Sequence, residues 1–335
     1  MIRSATIHVW TGLIVLSVST ASAPGEDASD IVPADARLEE VWNEGEFTEG
    51  VAAGPDGMIY FSDIPKEVPG RVLKFDPQTG TTVVHCADSG KSNGLMFDPA
   101  GRLLAACGAN EGRRALCEVK SDGTMHVLAE RFHGKRFNSP NDLVIARDGT
   151  VYFSDPRYVG SEPVELDLQS VYRWHPESGE VERLKTGVTK PNGVMLSPDE
   201  QTLYVAETDN GTLDGASPPP EGTKLRMTLN AFPLHADGSL GSRRVLVDFG
   251  QKLGTDGMTV DAEGRIYAAV RSDDRYGIRI YSPEGKELAS IPTPSLPTNC
   301  CFGTGDQASM LYVTAGGGLY RIRLLTRGAS GAQRP

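Results

Sequence analysis

The chain has 335 residues, 39% of them hydrophobic, and a formal net charge of −11. That is ample apolar content for a core, and no Lys/Arg cluster offers a stripe that could track phosphates, so a nucleic-acid partner is disfavoured. The five cysteines, Cys86, Cys107, Cys117, Cys300 and Cys301, show no CxxC spacing, which disfavours a zinc site.

At the N-terminus Arg3 precedes a mostly apolar run, HVWTGLIVLSVSTA, and then Ala21-Ser22-Ala23, the small-x-small pattern of signal peptidase sites. The run is too short and too rich in Ser and Thr to span a bilayer comfortably. Residues 1–23 therefore read as a signal peptide, with an uncleaved anchor as the alternative. Pro24 makes a cut after Ala21, or slightly beyond Ala23, an option too. The mature protein is expected to be periplasmic or secreted, without stable membrane association. Residues 24–36 read as a flexible segment, 37–325 as one domain and 326–335 as a disordered tail.

From residue 49 a pattern recurs: EGVAAGPDGMIYFSDI, NGLMFDPAGRLLAAC from Asn93, NDLVIARDGTVYFSDP from Asn141, NGVMLSPDEQTLYVAET from Asn192, DGMTVDAEGRIYAAV from Asp256 and NCCFGTGDQASMLYVTA from Asn299. The starts lie 44, 48, 51, 64 and 43 residues apart, a period that marks a propeller or array. In each, an apolar run meets a turn such as PDG, PAG or AEG and then a second β-rich run. Two further strand-like runs follow, which makes about four strands per repeat, the antiparallel blade of a propeller. The last repeat has room for only three strands, and an orphan run, RLEEVWNE at residues 37–44, is expected to supply its outer strand and close the ring. The expected fold is all-β, a six-bladed propeller; an open solenoid is the alternative, without visible polar caps. Cys107 and Cys117 flank GANEGRRAL, so they read either as a bridge between neighbouring strands or as buried thiols.

In a closed ring the leading residues Glu49, Asn93, Asn141, Asn192, Asp256 and Asn299 converge at one face, and Asp63, Asp155 and Glu207, at the ends of second strands, should rim the same mouth. Two carboxylates among several amide oxygens suit a hard cation, calcium before all. None of the six histidines falls in the ring, and no HExxH, GxGxxG or P-loop is present. Plain turn formation accounts for Asn-Gly pairs but not for Glu49, which has poor turn propensity. The 64-residue spacing places DNGTLDGASPPPEGTK, from Asp209, on the mouth side, either as a partial lid or as a neutral insertion.

FTEG at Glu49, RFNSPNDLV at Asn141, KPNGVMLSPDEQTLYVAET at Asn192, DGMTVDAEGRIYAA at Asp256 and PTNCCFG at Asn299 together resemble the SMP-30/gluconolactonase/luciferin-regenerating-enzyme-like family over residues 40–325. The resemblance implies a six-bladed propeller with a divalent cation in its tunnel, ligated by Glu49, Asn141, Asn192 and Asp256; zinc, manganese and magnesium remain alternatives to calcium. It also implies substrate contacts from Asn93 and from Lys91, which stands where some members carry Arg. The expected activity is hydrolysis of a sugar lactone or related ester, a small-molecule substrate, with Asp256 handling the attacking water. A phosphotriesterase-like hydrolase and a non-catalytic carbohydrate- or protein-binding propeller with structural calcium are the alternatives.

Overall fold

The computed structural model describes residues 28–212 and 221–329. The expected signal peptide, residues 213–220 of the 209–224 insertion and residues 330–335 lie outside the described residues. Among the described residues six four-stranded antiparallel sheets follow one another around a ring, the expected propeller. Their innermost strands are Thr48–Ala53, Ser92–Phe97, Leu143–Ile145, Pro191–Leu196, Thr255–Val260 and Pro297–Phe302 for blades 1 to 6. The core lies between blades rather than at the axis. Leu104, Ala106 and Leu116 of blade 2, for example, pack with Phe153, Tyr172 and Trp174 of blade 3. Alanines in the second strands, such as Ala105, Ala106, Ala268 and Ala269, are fully buried and let large neighbours fit against them.

The hairpins behave as the turn residues require. Gly57, Gly101, Gly149 and Gly264 all take positive φ in the turn between the first and second strands of their blades. Blade 4 has SPDEQ there instead, and Glu200 adopts φ 60°, a left-handed conformation with a steric cost for a side chain. Cys107 and Cys117 lie on adjacent strands of blade 2, but Cys107 is opposite Ala115 and Cys117 opposite Ala105. Both thiols are free, so the buried-thiol alternative describes them; diagonal neighbours stand farther apart than the short Cβ separation a disulfide needs.

Closure follows the sequence expectation. Glu39–Trp42 is the outermost strand of blade 6, antiparallel to Gly318–Arg323, with Glu39 opposite Arg321 and Glu40 opposite Tyr320. Order extends further on both sides than the expected boundaries. Ile31 is fully buried in the blade 5–blade 6 core, and its carbonyl accepts the Leu325 N–H at 3.0 Å. Past residue 325, Gly328 bridges Asp261 and Ala329 N–H donates to Val260 O at 3.1 Å. Residues 28–36 and 326–329 therefore belong to the fold rather than to flexible ends, because each carries its own backbone pairing or buried side chain.

Candidate functional site: a polar ring at one end of the tunnel

Each repeat's leading residue sits at or just before the start of an innermost strand. In five of the six blades the strand pairing slips at that point, between Glu49 and Val51, Ser92 and Leu95, Pro191 and Val194, Thr255 and Met258, and Pro297 and Asn299. A bulge re-aims a side chain out of the regular alternation. Blade 3 differs: its strand begins only at Leu143, and Asn141 precedes it, held by a hydrogen bond from its own N–H to Ser154 O at 2.9 Å.

The residue after each leader explains the recurrent glycine. A Cβ on Gly50 would lie 2.1 Å from Asn93 O, one on Gly94 2.6 Å from Asp142 Oδ1, one on Gly193 2.3 Å from Asp256 O, and one on Gly257 2.2 Å from Asn299 Cγ. These glycines serve the close approach of neighbouring innermost strands and not a turn. Blade 3 has Asp142 in this position, a fully enclosed carboxylate. Its Oδ2 accepts Val194 N–H at 3.1 Å, and its Oδ1 accepts from Asn299 Nδ2 at 3.4 Å, joining blades 3, 4 and 6. Burial pushes its carboxyl up to about 7.

Glu49, Asn192, Asp256 and Asn299 are all buried, and Asn93 and Asn141 are partly so. Burial, then repulsion from Asp256, holds the Glu49 carboxyl well above the ordinary carboxylate range. Asp256 is also raised by burial, against the opposing pull of Arg271 and an Asn192 hydrogen bond. Arg271 Nη1 meets Asp256 Oδ2 at 2.8 Å. Asn192 Oδ1, by contrast, is buried without a hydrogen-bond partner. Two mutually repelling carboxylates beside an orphaned amide oxygen form a donor set that fits a hard cation, since such ions take carboxylate and carbonyl oxygens together. Among the described residues no cluster of three or more His, Cys, Asp or Glu is assembled, in keeping with an amide-rich ring.

Lys91 is not presented to the ring by its ammonium. It is buried, takes φ 60°, and its Nζ donates to the carbonyls of Pro65, Lys66 and Val68. Those bonds use the three donors an ammonium has, so Lys91 fastens the 64–70 loop that follows the second strand of blade 1. Lys190, likewise two residues ahead of a ring amide, donates to Asn210 Oδ1 at 2.6 Å and Thr212 O at 2.9 Å, at the root of the 209–224 insertion. Lys91→Met is expected to loosen the 64–70 loop and speed its limited proteolysis.

Asp63, Asp155 and Glu207 do not line the mouth. All three are buried, and each accepts backbone N–H groups from the segment that leads into a ring residue. Asp63 takes Glu46 and Phe47 at 2.9 and 3.2 Å, Asp155 takes Asn138 and Ser139 at 2.8 and 2.7 Å, and Glu207 takes Thr189 at 2.9 Å. They brace Glu49, Asn141 and Asn192 from behind. Burial pushes the Asp155 carboxyl up to about 7, against the opposing pull of those N–H groups. A carboxyl raised on folding favours the folded state most below the ordinary carboxylate range, and that contribution is lost as pH rises through about 7. The melting temperature should therefore fall as pH rises from about 4 to about 7 and level off above it. Asp155→Asn should melt lower at pH 6 but show a flatter profile in thermal scans.

Arg271, Asp142 and Tyr158 were not among the residues expected from the sequence. Tyr158 donates to Thr208 O at 3.3 Å, and its phenol is held well above its usual range by burial and then by Asp256. Only the position of Arg271, next after a second strand on the ring face, could have signalled it.

The model of the SMP-30/gluconolactonase/LRE-like region matches residues 47–317. The chain is 29% identical to a gluconolactonase of Zymomonas mobilis over 330 residues, covering 92% of this chain and 86% of that protein. A solved gluconolactonase of Xanthomonas campestris superposes with a TM-score of 0.74 at 32% identity, covering 88% of this chain and 91% of that one. A calcium-binding regucalcin from Agrobacterium tumefaciens shares the fold at 20% identity and a TM-score of 0.66, covering 88% and 95%. With the match spanning most of the propeller, the chain belongs to the SMP-30/gluconolactonase/LRE-like family.

Proposed function

We propose that this protein is an exported, calcium-dependent hydrolase of sugar lactones. The observation that carries the reading is the pairing of two buried carboxylates, Glu49 and Asp256, with the unpartnered Asn192 Oδ1 at one end of the tunnel, in a chain similar to two gluconolactonases. Glu49, Asn141, Asn192 and Asp256 would hold the ion. When bound, a divalent cation supplies Lewis-acid polarisation of the lactone carbonyl and stabilises developing negative charge.

The chain's own residues do the rest. Asp256 orients a water and accepts its proton as the water oxygen attacks the carbonyl carbon. The endocyclic C–O bond then breaks, and the ring oxygen leaves as a hydroxyl after taking a proton. Asn192 holds the Asp256 carboxylate by hydrogen bonding. Asn93 lies on blade 2, where its amide would contact substrate hydroxyls. Burial of Glu49, Asn192 and Asp256 lowers the local dielectric, so their charge contacts are stronger than in solution. Export rests on Arg3, the apolar run and Ala21-Ser22-Ala23; among the described residues no helix is long and apolar enough to cross a membrane.

The test is hydrolysis of a panel of aldonolactones beside organophosphate triesters, before and after chelation and with calcium restored. Lactone turnover that falls on chelation and returns with calcium supports the proposal. Turnover of triesters alone, or turnover unaffected by chelation in metal-free protein, refutes it.

A further inference from the structure

The ring already contains a positive charge. The Arg271 guanidinium lies against Asp256, and its own basicity is raised by Asp256, then Glu49, then Tyr158, despite burial. Burial and then Asp256 hold the Glu49 carboxyl well above its usual range, and Arg271 opposes that shift. One cationic group thus lies among the two carboxylates that would ligate a divalent ion. Its hold is incomplete. Nη1 meets Asp256 Oδ2 at 2.8 Å, Nε is buried with no hydrogen-bond partner, and the side chain keeps 27% of its surface open. The backbone, by contrast, is fixed, since Arg271 N–H donates to Gly254 O at 3.0 Å just ahead of the innermost strand of blade 5. A guanidinium on a fixed backbone, held by one ion pair and partly open to the mouth, can leave the carboxylate without disturbing the blade.

We propose that Arg271 is the resident counter-cation of the ring: it pairs with Asp256, beside Glu49, when no metal is bound and competes with the divalent ion for that carboxylate, and so sets metal affinity. This rests on the reading of the ring as a cation site but not on lactone chemistry. Two carboxylates enclosed together without a cation repel one another and are costly to keep charged. Arg271 reduces that cost at Asp256 in the metal-free protein, and the same charge repels an incoming divalent ion. It is a positioning residue for Asp256, acting through that carboxylate.

The experiment is calorimetric titration of calcium alone into metal-free wild type, Arg271→Gln and Arg271→Lys, with thermal melts of each with and without calcium. Removing a unit charge beside a divalent site should tighten calcium binding by on the order of tenfold in Arg271→Gln. Arg271→Lys, which keeps the charge, should stay within about threefold of wild type. Metal-free Arg271→Gln should lose more melting temperature than its calcium-loaded form. If it folds only with calcium, that outcome also supports the proposal. Equal or weaker calcium binding by Arg271→Gln overturns it, as does failure of that variant to fold under either condition, which would mark a purely structural role. Absence of calcium binding by wild type overturns it as well. The lactonase reading is judged separately: wild type that binds calcium and shows the Arg271 effect but hydrolyses no lactone leaves this proposal standing and removes that one.

Discussion

Asp256→Asn is expected to lower lactone turnover by about 10²–10⁴ and to stay slow at saturating calcium, the loss typical of a missing general base. The side chain is enclosed, paired with Arg271 at 2.8 Å and supported by Asn192. An amide of the same shape keeps an oxygen for a metal but cannot take a proton from water. Glu49→Gln separates the two roles. Glu49 is equally buried and shares the site with Asp256, so its loss removes ligand charge without removing the base. Its expected phenotype is a weaker calcium affinity, with turnover largely recovered at high calcium. Bound calcium adds RT ln(1 + [Ca]/Kd) to folding stability, about 2.7 kcal/mol at a hundredfold excess over Kd. Both variants should therefore show a smaller calcium-induced rise in melting temperature at fixed calcium. Steady-state kinetics across a calcium series, run beside calorimetry, distinguishes them. Recovery of full turnover by Asp256→Asn at high calcium would strip Asp256 of the proton-handling role.

The ring was legible in the sequence because closure repeats the same local problem in every blade. Each leading residue must turn toward the axis, and in four blades the next must lack a Cβ to let strands meet; Gly50, Gly94, Gly193 and Gly257 write that requirement into the chain. Asp142 is the exception, and it ties three blades together. A single departure from a repeat carries no signal of its partner, and Asn299 lies 157 residues away. Arg271 was missed for a similar reason: its partner is set by how the second strand of blade 5 ends beside its own innermost strand. Lys91 shows the opposite failure. Lys91 stands two residues before Asn93, but whether an ammonium faces substrate or a loop depends on the carbonyls of residues 65, 66 and 68. The bracing carboxylates Asp63, Asp155 and Glu207 were found at the right end of their strands. Their direction depends on N–H groups that the preceding chain brings to them.

A chain that begins at residue 46 is expected to lose its single cooperative unfolding transition and to self-associate. Residues 28–45 carry Ile31, buried between blades 5 and 6, and the strand Glu39–Trp42 that covers the edge of blade 6. Trp42 packs edge-on against Phe61 of blade 1 with ring centroids 5.2 Å apart and belongs with Val41 to the apolar layer between blades 6 and 1. Its contribution should fall below the about 3–5 kcal/mol of a fully buried Trp→Ala, since part of the ring stays open. The Glu39–Arg321 pair, at 2.7 Å on the surface, adds at most about 1 kcal/mol. The larger effect is topological. Without the outer strand, Gly318–Arg323 presents an unpaired edge bearing Leu319, Tyr320 and Ile322, a template for pairing with another copy. The seam also connects to the ring, because Thr48 Oγ1 donates to Gly318 O at 2.7 Å one residue before Glu49. Loosening blade 6 therefore removes support from a ring residue as well as from the core. Calorimetric unfolding and size-exclusion chromatography measure both consequences, and Trp42→Ala, which keeps the backbone strand, should destabilise without self-association. A truncated protein that keeps the full melting temperature and remains monodisperse would show that blade 6 closes without its N-terminal strand.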